Sequence, residues 1–102
     1  MSTKPVRLTL VFPPALEAAI TGALASDPRM PGFTVLHAEG HGHDFTNASP
    51  TEIVRGRIEQ RVLWIVTDAD EPPRLLAALR KKIPSPDIVW WIDELSDFGR
   101  LV

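Results

Sequence analysis

Val62-Leu63-Trp64-Ile65-Val66, inside an extended stretch covering residues 57–67, is the segment that decides the fold. Consecutive apolar residues leave a strand with no polar face, so this strand belongs in the middle of a sheet with both sides covered. Upstream, residues 33–39 (FTVLHAE) form a second strand. Downstream, Leu75, Leu76, Leu79 and Ile83 recur at helical spacing between Asp68-Ala69-Asp70-Glu71-Pro72-Pro73 and the stop signals Pro84 and Pro86. The acids lie at the positive end of that helix and Arg80-Lys81-Lys82 at its negative end, the favourable polarity for the helix dipole.

Near the N-terminus, residues 6–12 (VRLTLVF) alternate, with Leu8, Leu10 and Phe12 on one face and Arg7, Thr9 and Val11 on the other. Pro13-Pro14 stops this strand and opens a helix, because the first helical turn has no use for its N–H groups. From Ala15, the positions Leu16, Ala19, Ile20, Ala23 and Leu24 mark the buried stripe, and Asp27-Pro28 with Met30-Pro31-Gly32 turns the chain. A last strand runs over residues 88–92 (IVWWI). The order is β-α-β-β-α-β, and residues 1–102 make a single α+β domain. Its expected form is ferredoxin-like: a four-stranded antiparallel sheet with two helices on one face and a long loop between strands two and three.

Composition narrows the function. The 102 residues carry 11 Lys plus Arg against 13 Asp plus Glu, a net charge of −2, which offers nothing to phosphate backbones or anionic lipid. Nucleic acid is excluded as a partner, as is direct membrane insertion, since no apolar run approaches a membrane span. Cysteine is absent, removing disulfides, thiolate metal sites and thiol nucleophiles together. The expected setting is the cytoplasm. No Ser-His-Asp or phosphate-loop pattern occurs, and Pro13-Pro14 contributes no N–H donors where an anion-binding loop would follow the first strand. The chain is read as non-enzymatic.

The connection between strands two and three is the anomaly, because such hairpins usually need two to five residues. His37, Glu39, His41 and His43 share parity, so an extended continuation of strand two places all of them on one face. Imidazoles with a carboxylate suit zinc, copper, nickel or cobalt; the plainer alternative is solvated residues at the mouth of a glycine-rich loop. Arg55, Arg57 and Arg61 fit either an anion site for phosphate or bicarbonate, or salt bridges with Glu52 and Glu59. Asp68, Asp70 and Glu71 fit a hard cation or helix capping. Adjacent Trp90 and Trp91 must face opposite ways, one under the helices and one on the open sheet face. There Val11, Val35 and Ile65 are expected to join it and form a surface for self-association.

Gly32-Phe33-Thr34-Val35, Gly40-His41-Gly42-His43, Ser49-x-x-Glu52-x-Val54-x-Gly56-Arg57, Leu75-Leu76-x-x-Leu79 and Trp91 occur in an order that resembles the PII-like signalling proteins. The resemblance is to their unknown-function branch associated with heavy-metal efflux transporters. It implies a homotrimer from which the long loop, the T-loop, projects over residues 41–57. A cleft between subunits binds a small ligand, commonly an adenine nucleotide, and the loop contacts a membrane transporter. Carried over, Gly40 and Gly42 form the base of the T-loop where the backbone approaches the ligand, consistent with glycine's access to unusual φ/ψ. His43 and Asp44 stand where nucleotide-binding relatives tend to carry Arg and Gln. The implied ligand-binding set is Gly40, Gly42, His43, Asp44, Arg55, Arg57 and Arg61, with His37, Glu39, His41 and His43 as candidate metal ligands. Ile83-Pro84-Ser85-Pro86-Asp87 stands in place of a glycine-rich, lysine-bearing phosphate loop; its prolines remove donors and Asp87 repels phosphate. The expected function is a regulator whose T-loop answers a small ligand or divalent transition metal and acts on a transporter. The alternatives are a metal-tolerance protein of CutA-like character and an adenine-nucleotide or bicarbonate sensor.

Overall fold

The first strand, β1 (Pro5–Phe12), ends where Pro13 takes an extended conformation and Pro14 begins a 3-10 turn over Pro14–Leu16. Leu16 N–H donates to the Pro13 carbonyl at 3.0 Å, so the expected first turn from Ala15 is wound tighter than an α-helix. The α-helix proper, α1, is Glu17–Ala25. The computed structural model describes residues 4–41 and 58–102.

After α1, Asp27 accepts a hydrogen bond from the Arg29 N–H at 2.9 Å, holding the turn that the sequence places there. Gly32 has φ 119°, a conformation that favours glycine, and delivers the chain to β2 (Thr34–Gly40). Next come β3 (Ile58–Asp68), α2 (Pro72–Lys82) and β4 (Val89–Glu94). Pro72 occupies the first position of α2, and Arg80, Lys81 and Lys82 fill its last turn, as the dipole favours.

The sheet order is β2-β3-β1-β4, every neighbouring pair antiparallel, which is the ferredoxin-like arrangement expected. β1 and β3 are central, in register through Leu8↔Ile65 and Leu10↔Leu63. Those four side chains and Phe12 are fully buried beneath Ile20 and Leu24 of α1 and Leu75, Leu76 and Leu79 of α2. Full burial of each such side chain contributes about 1.5–3 kcal/mol, which makes this layer the principal stabilising feature. Among the described residues, no helix is long and apolar enough to cross a membrane.

Two expectations about faces are corrected. Ile65 is fully buried under the helices, and Val35, opposite Leu63, packs against the same core, so neither joins the open face. A strand places every second side chain on one side, and the register with Leu63 fixes which side that is. Trp90 does face the helices and Trp91 the open side, and neither is buried: Trp90 is 45% and Trp91 44% exposed.

Candidate functional site

The ladder between β2 and β3 runs out to Gly40↔Ile58, where the long connection begins. Val35, His37 and Glu39 share the helix-side face; His37 sits opposite Arg61, and Glu39 opposite Glu59. His41 follows just past the strand, with Nε2 3.9 Å from Glu39 Oε2 and both side chains more than half exposed. Gly42, His43, Asp44, Arg55 and Arg57 lie outside the described residues. Among the described residues, no three His, Asp or Glu side chains gather as a metal site.

Arg61 turns toward the helices. Its Nε donates to Glu17 Oε1 at 2.7 Å, and the side chain is only 16% exposed. That gives Arg61 an ion-pair partner in the first residue of α1, a pairing the sequence did not suggest; Glu52 lies outside the described residues. The pair ties the loop-bearing strand to the helix layer two residues into the ladder from Glu59, which gives the base of the connection a fixed platform. Gly40 does not supply a left-handed backbone, because Gly32 is the one positive-φ glycine among the described residues. Space is tight there as well: a Cβ would meet the Gln60 side-chain amide at 2.5 Å.

The opposite sheet face has its own organisation. Arg7 and Asp93 are directly paired across β1 and β4, and Arg7 Nη2 donates to Asp93 Oδ2 at 3.2 Å. The same guanidinium lies 4.7 Å from the centre of the Trp64 ring, a cation–π contact along a diagonal of the ladder. Thr9 sits between Trp64 on one side and Trp91 on the other, 1% exposed, with its hydroxyl lacking a hydrogen-bond partner among the described residues. Arg7 Nε is likewise buried and unpartnered. Val11, Val62 and Val89 extend the apolar surface around them in matching register. Of the expected companions of Trp91, Val11 is the one that is present.

At the other end of the helices, Arg74 bridges Asp27 and Glu71, and Arg29 reaches Glu71 Oε2 at 2.6 Å. Hydrogen bonds from the Arg29 amide and the Arg74 guanidinium hold the Asp27 carboxyl below its ordinary value, and Arg74 does the same for Glu71. Glu71 is the N-cap residue of α2, yet its side chain makes no capping bond. The capping expected of Glu71 is corrected: its carboxylate is taken by the two arginines.

Sequence pattern placed Arg7 and Thr9 on the open face but gave no sign that Thr9 would be buried there. That burial depends on cross-strand register with two tryptophans, which no spacing along one strand reveals. The Arg61–Glu17 pair spans a comparable gap in sequence and was equally hidden.

Comparison with known proteins fits this geometry. No curated protein matches the chain. A crystal structure of a DUF3240 family protein from Shewanella baltica superposes with a TM-score of 0.77 at 22% identity, with all of both chains covered. Arabidopsis thaliana PII bound to citrate superposes at 0.73 and 16% identity, over 98% of this chain and 85% of that one. A Bacillus cereus protein related to NIF3 superposes at 0.66 and 10% identity, over 95% of this chain but 27% of that one. The fold is PII-like. Residues 2–102 match the family described as protein of unknown function (DUF3240), and the chain belongs to it.

Proposed function

We propose that this chain is a non-enzymatic, PII-like regulator that self-associates as a trimer through its open sheet face. Its long β2–β3 connection is a T-loop that responds to a small ligand or metal and acts on a cytoplasm-facing membrane transporter, with metal efflux as the process served. The observation that carries the reading is the distance in sequence between two paired strands: β2 ends at Gly40 and β3 begins at Ile58, so residues 41–57 separate neighbours in an antiparallel ladder. The PII likeness supports the same reading, as does the open face, where Thr9 and Arg7 Nε are buried without partners beside Trp64. Such a face gains from a second copy that supplies both apolar cover and hydrogen bonds.

Size-exclusion chromatography with light scattering tests the assembly. A trimer at micromolar concentration is expected, and a stable monomer ends the proposal. Thermal-shift screening then separates the ligand classes, with ATP, ADP, bicarbonate, zinc, copper, nickel and cobalt each added alone. A melting temperature that no compound moves removes the ligand-responsive element.

A metal-binding role is the second reading, favoured by the Glu39–His41 approach on the face that also carries His37. Its ligands are His37, Glu39, His41 and His43. Calorimetry should give zinc or copper binding tighter than millimolar, abolished in the His37→Ala, His41→Ala, His43→Ala triple variant; equal binding by that variant ends it.

A further inference from the structure

Among the described residues, two buried side-chain atoms capable of hydrogen bonding lack a partner, Arg7 Nε and Thr9 Oγ1. Both lie on the open face of β1, two residues apart, so their Cα atoms are separated by about 6.5 Å. The Arg7 guanidinium leans along the strand toward Thr9. It lies over Trp64, the cross-strand partner of Thr9, rather than over Val66, its own partner. Trp91 is the partner of Thr9 on the other side. Asp93 meets Arg7 through Nη2 alone, at 3.2 Å, whereas Arg61 and Arg29 reach their carboxylates at 2.7 and 2.6 Å. Charge-assisted bonds of full strength fall at about 2.7–2.9 Å. Arg7 is therefore held loosely by its own carboxylate and keeps a buried N–H to spare.

The geometry points to a binding site for a small carboxylate-type oxyanion, of the size of formate, acetate or bicarbonate, between Arg7 Nε and the Thr9 hydroxyl. Both atoms can donate, and a buried donor on a cation is the costliest kind to leave unmade. An anionic acceptor also forms the strongest bond with it. Two donors side by side suit the two oxygens of a carboxylate better than one spherical ion. The tryptophans on either side of Thr9 limit the ligand to a few atoms. Asp93 occupies a different corner of the guanidinium, and the Arg7 and Asp93 side chains are 35% and 45% exposed, which leaves a way in from the open side. The site lies level with Trp64, six residues along β3 from Ile58, or about 20 Å from the base of the long connection. It is thus separate from the loop and goes beyond the regulatory reading, since one chain forms it. Copies that meet across this face enclose the ion, and exclusion of water strengthens its bonds.

Two matched salt series test the site, sodium acetate against sodium chloride at equal ionic strength. Melting temperature and tryptophan fluorescence are the readouts, because Trp64 and Trp91 flank the site. Acetate should raise the melting temperature and change the fluorescence saturably, whereas chloride should give a shallow drift without saturation. Thr9→Val and Arg7→Lys should each weaken acetate binding about tenfold or more, since each removes one hydrogen bond to a charged ligand. Thr9→Ser, which keeps the hydroxyl, should retain it. Arg7→Lys also loses the Trp64 contact, so Thr9→Val is the deciding variant. The inference is overturned by the absence of a saturable acetate response, by an equal response to chloride, or by a response that survives in Thr9→Val. Light scattering on the same samples keeps the two proposals apart. A trimer without an acetate response overturns the oxyanion site alone, and a monomer with a Thr9-dependent response overturns the open-face trimer alone.

Discussion

The Arg7 guanidinium lies 4.7 Å from the centre of the Trp64 ring while its Nη2 donates to Asp93 Oδ2. One cation thus joins β3, β1 and β4 across the face that has no helices. A cation–π contact at a partly exposed site contributes about 0.5–1 kcal/mol. In a double-mutant cycle of Arg7→Ala and Trp64→Leu, urea unfolding should return a coupling energy in that range. Single effects that add to within about 0.3 kcal/mol would show no energetic link between the two residues.

Thr9 gives an opposite expectation. Its hydroxyl is buried on the open face without a partner, so it adds a desolvation cost and returns no hydrogen bond within the chain. Thr9→Val keeps the branched shape and removes that cost. In a dilute, monomeric sample, unfolding should show a gain of about 1 kcal/mol. At concentrations where the chain self-associates, the gain should shrink or reverse if the neighbouring copy supplies the missing partner. A gain equal at both concentrations means that assembly leaves Thr9 unpartnered.

The Asp27–Arg74–Glu71 cluster sets an acid limit on stability. Both carboxyls titrate below their ordinary values of 3.8 and 4.5 in the folded chain. Between the ordinary and the lowered values, the unfolded chain binds more protons than the folded one. The stability these groups contribute is therefore fully present above about pH 4.5 and is lost as pH falls through the lowered folded values. Arg74→Met should lower the urea midpoint at pH 7 and weaken its dependence on pH between 5 and 2.5. An unchanged pH profile would place the acid sensitivity elsewhere.

Most of the architecture was readable from local chemistry. Pro13-Pro14 and Pro72-Pro73 mark helix starts, and the alternation of Leu8, Leu10 and Phe12 assigns the core face of β1 correctly. What pattern could not supply was register. The run Val62–Val66 is apolar throughout, so nothing within it says which side Ile65 takes; only its pairing with Leu8 does. The same gap hid the burial of Thr9 and the turn of Arg61 toward Glu17. At the loop base, the parity argument held for His37 and Glu39, because both lie within the ladder, and it has no force once the strand ends at Gly40.

Gly40 is the residue at which the sequence expectation and the structure assign different causes. A need for unusual backbone angles would make every substitution strained. A need for space makes the cost depend on what fills that space, and here it is the far end of the flexible Gln60 side chain. Gly40→Ala should therefore fold normally, with a stability change of less than about 1 kcal/mol, as Gln60 rotates away. Gly40→Ala in a Gln60→Ala background should be neutral or slightly stabilising, since replacing Gly by Ala reduces the freedom of the unfolded chain. Urea unfolding of the two single variants and the double variant completes the comparison. If Gly40→Ala costs as much in the Gln60→Ala background as alone, the backbone rather than the amide is what requires glycine at the base of the loop.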